Sequence, residues 1–227
     1  MTYLSEKQNM DFIGTGENNE AGQDLSTFLN NYNPDKYKNP CNTVDTLVFT
    51  YNDNNGKIMI NKILLIKRKN HPSIGWWALP GGFVEYREDL RAAALRELKE
   101  ETGIDNIQTE QLKSYGEYDR DPRARIITTA YVALVPEGSL KAMAGDDAKE
   151  AEWFNIVDEH TSGNIHSLRL YNDDKSINIG AEIEVTYDKS AILKNYEYKV
   201  ISRNGIAADH GAIILEGYHY ISQKLIP

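Results

Sequence analysis

A single cysteine, Cys41, stands in the 227 residues. One thiol excludes an intrachain disulfide and suits a reducing cytosol. Apolar runs are short, none approaching the roughly eighteen residues a membrane span needs. The polar start MTYLSEKQNMDF lacks the charged-then-apolar leader of a signal peptide, so none is expected. Positive charge is also scarce: 25 Lys and Arg face 34 Asp and Glu, for a net charge of −9. Nucleic acid is therefore not expected as a partner, because phosphate binding normally leaves a basic patch. An anionic small molecule needs a local arginine cluster or a bound metal to override that balance. The five histidines, at 71, 160, 166, 210 and 219, show no metal-ligand spacing. Internal repeats and low-complexity tracts are lacking too. What remains is a chain long enough to bury a proper core, as one large or two small domains.

What is present is concentrated between Gly82 and Ile104, GFVEYREDLRAAALRELKEETGI. With Glu88 and Asp89 in the first turn, their charges favour a helix N-terminus, and Gly103 supplies the left-handed residue that ends it. Glu97, Glu100 and Glu101 are spaced i, i+3 and i+4 and project from one face, which Leu90 and Ala93 make apolar one or two turns earlier. Like charges so placed repel unless something neutralises them, and a hard cation with oxygen ligands does so.

The stretch resembles the signature of the Nudix hydrolases: G, five residues, E, seven residues, R-E, an aliphatic, any residue, E-E, any residue, G, an aliphatic. Gly82, Glu88, Arg96, Glu97, Leu98, Glu100, Glu101, Gly103 and Ile104 match every position. Seven fixed identities arise by chance roughly once in 10⁸ to 10⁹ starting positions. The resemblance implies Mg²⁺-dependent hydrolysis (Mn²⁺ as a substitute) of a nucleoside diphosphate linked to a second group. It also implies an α/β fold, the Nudix α/β/α sandwich with a mixed sheet.

The rest of the chain fits such a sandwich. Residues 1–40 read as a loosely attached arm with a helical turn at Leu25, Phe28 and Leu29, and 41–160 as the core. Thr43–Tyr51 and Ile58–Arg68 read as a hairpin around Asn55-Gly56. Gln111–Tyr118, Ile126–Val135 and Ala151–Ile156 read as further strands. Residues 161–205 read as a β-rich excursion from the main sheet, a dimer contact or a rim over the site rather than core. Residues 206–227 read as a final helix capped by Asp209, with Ile213, Ile214, Tyr218 and Ile221 facing the core.

Within the family, the islands YNPDKYKNPCNTVDTLVFTY, GWWALPGGFVE, DRDPRARIITTAYVALVP, GDDAKEAEWF and GIAADHGAI resemble the ADP-ribose pyrophosphatase branch. That branch implies ADP-ribose cleaved to AMP and ribose 5-phosphate, a cytoplasmic homodimer, and a nucleotide as the only partner. The same branch supplies the Nudix domain of repressors of nicotinamide-cofactor genes. A ligand-sensing regulator is thus the rival reading, although its winged helix would be expected after the last helix, where this sequence reaches Ile226-Pro227. A sanitiser of nucleoside triphosphates needs only the same box.

Residue roles follow from the resemblance and from chemistry together. Glu97, Glu100 and Glu101 are the expected metal ligands, joined by the backbone at Gly82. Arg96 is expected to orient a glutamate through a bidentate ion pair. The general base is sought in the loop 145–150, with Glu150 or Asp147 as the choices. Trp76, Trp77, Tyr118 and Phe83 are candidates to stack a base. Arg120, Arg123 and Arg125 are the expected substrate-binding groups. Arg123 and Arg125, two apart in an extended segment, would fall on one side of it, and the guanidinium fork suits a phosphate.

Overall fold

The computed structural model describes residues 3–145, 148–187 and 196–225. The chain divides into two compact units, Met1–Asn39 and Pro40–Pro227. The first contains helices α1 (Glu6–Asn9) and α2 (Leu25–Asn31) and two single 3₁₀ turns, Met10–Phe12 and Pro34–Lys36. Asp24 caps α2 by accepting the Thr27 amide at 2.7 Å, and neither helix buries a residue.

The second unit is built on one ten-stranded mixed sheet. Strand β1 (Cys41–Asn54) turns through Asn55 (φ 55°) and Gly56 (φ 86°) into β2 (Lys57–Arg68). Two successive positive-φ residues are what a two-residue hairpin with right-handed strand twist requires. Short strands β3 (Trp77–Ala78) and β4 (Gly81–Phe83) pair with β2 and β1 and lead into helix α3 (Leu90–Thr102). Then come β5 (Glu110–Tyr115), β6 (Ile126–Pro136), β7 (Ala148–Ser162), β8 (Ile165–Asn172), β9 (Ile177–Tyr187), β10 (Tyr196–Asn204) and helix α4 (His210–Leu225). The main order is β10-β9-β8-β7-β2-β1-β6-β5, with β1 and β6 parallel. Among the described residues no helix is long and apolar enough to cross a membrane.

Strand periodicity splits the core into two layers. On β1, Leu47 and Phe49 face α4 while Val48 faces α3; on β2, Ile63 and Leu65 face α4 while Leu64 faces α3. The α3 side is completed by Leu98, Ile104, Ile107 and Ala133, and the α4 side by Ala212, Ile213, Leu215 and Ile221. This is the α/β/α sandwich expected from the sequence.

The excursion corrects one expectation. Leu168 and Leu170 on β8 and Ile179, Ala181 and Ile183 on β9 belong to the same buried cluster as the α4 stripe, so the segment is core. The reason is geometric. Strand β7 does not stop at Ile156 but runs to Ser162, and its outer half carries β8 in antiparallel register from Asn155↔Tyr171 to Ser162↔Ile165. The 16 residues of α4 make a rod about 24 Å long. Covering it takes about five strands at 4.8 Å spacing, and β8–β10 supply the outer ones.

Candidate active site

Helix α3 begins at Leu90, two residues later than a first turn holding Glu88 and Asp89 would require. Asp89 occupies the N-cap and Glu88 lies before it, so neither stands in the first turn. Glu88 instead binds Arg96 through two hydrogen bonds, Nε at 2.8 Å and Nη2 at 2.7 Å. Arg96 also donates to Glu97 at 2.7 Å, Glu100 at 3.1 Å and the Phe83 carbonyl at 3.1 Å. Its fork ties the β4 backbone to three carboxylates and fixes how they point. The helix ends as expected: Gly103 is left-handed (φ 72°) and its amide donates to the Lys99 carbonyl.

The three box glutamates are graded in depth. Glu100 is more than half exposed and Glu97 is 15% exposed at its side chain, while Glu101 is buried beside Leu98 and Ala94. The Glu101 carboxylate accepts the Gly81 amide at 2.8 Å. Burial outweighs that bond, and with help from Glu97 and Asp45 it pushes the Glu101 carboxyl up to about 8. Burial also raises Glu97, although Arg96 opposes it. Two glycines make room. A Cβ on Gly82 would lie 2.5 Å from the Glu97 carboxylate, and one on Gly81 would lie 2.0 Å from the Val44 carbonyl of β1. A side chain at 82 would thus push the Glu97 carboxylate out of its present position, whereas one at 81 would meet backbone.

Glu97, Glu101, Gly81 and Gly82 line a cavity of about 460 Å³, whereas Glu100, expected as a third ligand, does not. Three of its residues were not anticipated as site residues. Asp45 on β1 is 7% exposed and accepts the Thr128 hydroxyl at 2.7 Å. His210, at the start of α4, accepts the Leu79 amide at Nδ1 (2.9 Å), which leaves Nε2 facing Asp45 at 4.0 Å. Arg68, at the end of β2, donates to the Pro72 carbonyl at 2.7 Å; burial and then Arg123 lower its pKa. The segment before α4 is held in place by reciprocal hydrogen bonds, Trp77 amide to Gly205 carbonyl and Ala207 amide to Trp77 carbonyl, both 2.8 Å. Asp45 had a visible signal: it is the lone acid in the apolar run TVDTLVFTY.

The arginine loop separates its members. Arg120 and Arg123 line the cavity and Arg125 does not; its guanidinium donates to the Gly116 carbonyl. The expected one-sided placement of 123 and 125 fails because the extended segment starts only at Ile126. Arg120 is 6% exposed and donates two hydrogen bonds, 2.8 and 2.9 Å, to Asp209, so the Asp209 carboxylate, expected to accept amides as a helix cap, instead secures this loop from its place just before α4. Arg123 makes a similar pair with Asp121 (3.0 and 2.8 Å) and lies 5.4 Å over the Phe83 ring. Of the four aromatic candidates, Phe83 lines the cavity. Trp77 is core, edge-on to Phe154 at 4.7 Å; Trp76 packs on a small apolar cluster, and Tyr118 is 82% exposed. Glu150 is not brought to the cavity. It accepts Lys67 at 3.0 Å, which holds its carboxyl below the usual range. Asp147 lies outside the described residues.

The donor set decides which metal fits. Glu97, Glu101 and Asp45 offer oxygen only, and Glu101 is too poorly compensated to ionise readily at neutral pH. A hard dication suits oxygen donors and would restore that ionisation.

Comparison with known proteins agrees with this geometry. Residues 42–173 match the NUDIX domain family. The ADP-ribose pyrophosphatase of Methanocaldococcus jannaschii is 53% identical over 96 residues, 42% of this chain and 56% of that protein. The ADPR responsive transcriptional repressor NtrR of Acinetobacter baylyi is 44% identical over 110 residues, 48% of this chain and 42% of that protein. The chain thus spans about half the length of the curated relatives it matches. Among solved structures, a MutT/nudix family protein from Enterococcus faecalis aligns with a TM-score of 0.67 at 31% identity, over 98% of this chain and 76% of that one. The NUDIX domain of Shewanella oneidensis NrtR, in a cocrystal with ADP ribose, aligns with a TM-score of 0.50 at 33% identity, over 58% of this chain and 82% of that one.

Proposed function

The chain belongs to the NUDIX family, and from that premise we propose that it is a pyrophosphohydrolase cleaving ADP-ribose with water to AMP and ribose 5-phosphate. The observation that carries this reading is the meeting of half-buried Glu97 and buried Glu101 and Asp45 with Arg68 and Arg123 around one 460 Å³ cavity. That volume suits a ligand of nucleotide size. ADP-ribose as the ligand is supported by the two ADP-ribose-related relatives and by the cocrystallised NUDIX domain.

Glu97 and Glu101 would hold Mg²⁺, with Glu100 at the exposed margin and the Gly81–Gly82 backbone against both carboxylates. A bound Mg²⁺ supplies neutralisation of the diphosphate and acidification of the attacking water. The chain's own residues do the rest. Arg96 keeps Glu97 aimed inward. Arg68 and Arg123 meet the phosphate and ribose oxygens, and Phe83 offers an apolar ring at the rim. His210, with Nδ1 committed to the Leu79 amide, presents Nε2 toward Asp45 and so stiffens the floor of the cavity. The same reading has the protein working as a homodimer in the cytosol, without nucleic acid; light scattering and a duplex gel-shift check these points.

The regulator reading has one finding in its favour, the 44% identity to a repressor. It shares the ligand but not the turnover. Incubating the protein and Mg²⁺ with ADP-ribose, NADH, ADP-sugars, dinucleoside polyphosphates and nucleoside triphosphates, followed by chromatography, tests both. Fastest release of AMP from ADP-ribose is expected. Tight ADP-ribose binding without cleavage would select the regulator, and preferred cleavage of a triphosphate would select the sanitiser.

A further inference from the structure

Away from the cavity, the apolar stripe beneath α4 ends in polar residues. Ile156 on β7 and Leu168 and Leu170 on β8 belong to the core under that helix. Continuing with period two, Asp158 and His160 on β7 and His166 on β8 reach the same face, where His160 and His166 are directly paired. His219 descends from α4 to meet them. Asp158 then takes both imidazoles, His166 Nδ1 on Oδ1 at 2.9 Å and His219 Nε2 on Oδ2 at 2.8 Å. The absence of ligand spacing in the sequence is thus overcome by three separate elements converging, with one ligand atom from each side chain inside 4.8 Å.

We infer that Asp158, His166 and His219 form a second cation site, for a borderline dication of the zinc class. Four observations support it. Two imidazole nitrogens and one carboxylate oxygen are the donor set such ions take, whereas Mg²⁺ prefers oxygen alone. Each imidazole nitrogen lies 2.8 or 2.9 Å from an oxygen of the same carboxylate, and one ligand atom from each side chain falls within 4.8 Å of the others, against an edge of about 3.3 Å in a tetrahedron built on 2.0 Å metal–ligand bonds, so a rotation of the carboxylate and a modest closing of the side chains admit an ion. The second nitrogen of His219 already has an orienting partner, the Tyr198 hydroxyl at 3.0 Å, as ligating histidines characteristically do. Finally, the three side chains are only 14–21% exposed, yet a cavity bordered by His160, His166, Tyr187 and Tyr196 reaches one of them, His166, and gives an ion a way in from that side. An ion held there ties α4 to the β7–β8 hairpin.

The competing description is an aspartate that accepts two imidazole N–H groups and needs no ion. Zinc titration of the chelator-treated full chain, in millimolar Mg²⁺ to occupy the glutamate box, separates the two. About one equivalent is expected at roughly micromolar affinity or tighter, with a melting temperature several degrees higher. Side-chain ¹⁵N spectra should show His166 Nδ1 and His219 Nε2 changing together, and H166Q and H219Q should each weaken binding by roughly 100-fold. Binding in E101Q should persist. Millimolar affinity, full binding in both histidine variants, or zinc-dependent shifts at His71 or His210 instead would overturn the site. Should a variant fail to fold, the wild-type imidazole spectrum decides.

Discussion

Two carboxylate-centred clusters, one carried by α3 and one beneath α4, solve the problem of burying charge differently. Glu97 and Glu101 on the α3 face sit close to each other and to Asp45, so burial drives their protonation upward and a hard cation is the natural remedy. Asp158 on the α4 face meets two imidazoles. Burial alone would raise its carboxyl, but hydrogen bonds from His219 and His166 hold it below the usual range. The first cluster is electrostatically unfinished and faces a nucleotide-sized cavity. The second already sets its carboxylate against two imidazoles and joins three elements. Chemistry follows the unfinished one, because a group already neutralised by its neighbours has little left to offer a substrate.

The most damaging way to break this contrast is to finish the first cluster artificially. Glu101→Gln and Glu97→Gln keep the shape and hydrogen bonds of the side chains while removing their charge. Each is expected to lower kcat by at least two orders of magnitude, roughly 2.7 kcal/mol of lost transition-state stabilisation, with the fold intact by circular dichroism. Near-wild-type turnover in either purified variant would remove that glutamate from the mechanism.

How much of each cluster could be read beforehand follows from how it is built. The glutamate box lies on a single helix, so its spacing is its geometry, and Gly103 and the i, i+3, i+4 pattern survive folding unchanged. Asp45, Arg68 and His210 join it from β1, β2 and α4, and no spacing connects them. Only the oddity of one acid in a buried strand hinted at Asp45. The Asp158 cluster draws on β7, β8 and α4 and was invisible for the same reason. The excursion's place in the core is not legible because Ala151–Ile156 stops short of the six residues from Val157 to Ser162, along which most of the β8 pairing runs.

A smaller effect sharpens the contrast within the arginine loop. Arg123→Ala is expected to raise KM for ADP-ribose by roughly tenfold or more, as loss of a charged hydrogen bond worth about 1.5–3 kcal/mol would do. Its Mg²⁺ dependence should not change. Arg123→Lys should recover little, because an ammonium cannot reproduce the fork. Arg125→Ala, whose guanidinium is turned to the Gly116 carbonyl, should move KM less than about threefold, within the modest cost of an exposed hydrogen bond. Equal effects at 123 and 125 would mean that the loop, and not one of its side chains, sets affinity.

The smallest expected effect is at Glu150, the acid that sequence alone offered as general base. A base must reach the water it deprotonates, directly or through one intervening water, and its pKa must allow it to hold the proton. Glu150 does not meet the first condition. It stands on β7 outside the cavity, and Lys67 at 3.0 Å and Lys175 at 3.8 Å neutralise it and keep its carboxyl below the usual range. Exposed pairs of this kind contribute about 0–1 kcal/mol to stability. Glu150→Gln should therefore shift the melting temperature by at most a few degrees and leave kcat and its pH profile within about twofold of wild type. The pH profile is the sharper readout, since loss of a true base would flatten its acidic limb even where kcat fell only slightly. A hundredfold loss in kcat with that limb abolished would mean that the Lys67 pair opens during turnover, and would move β7 from scaffold to site.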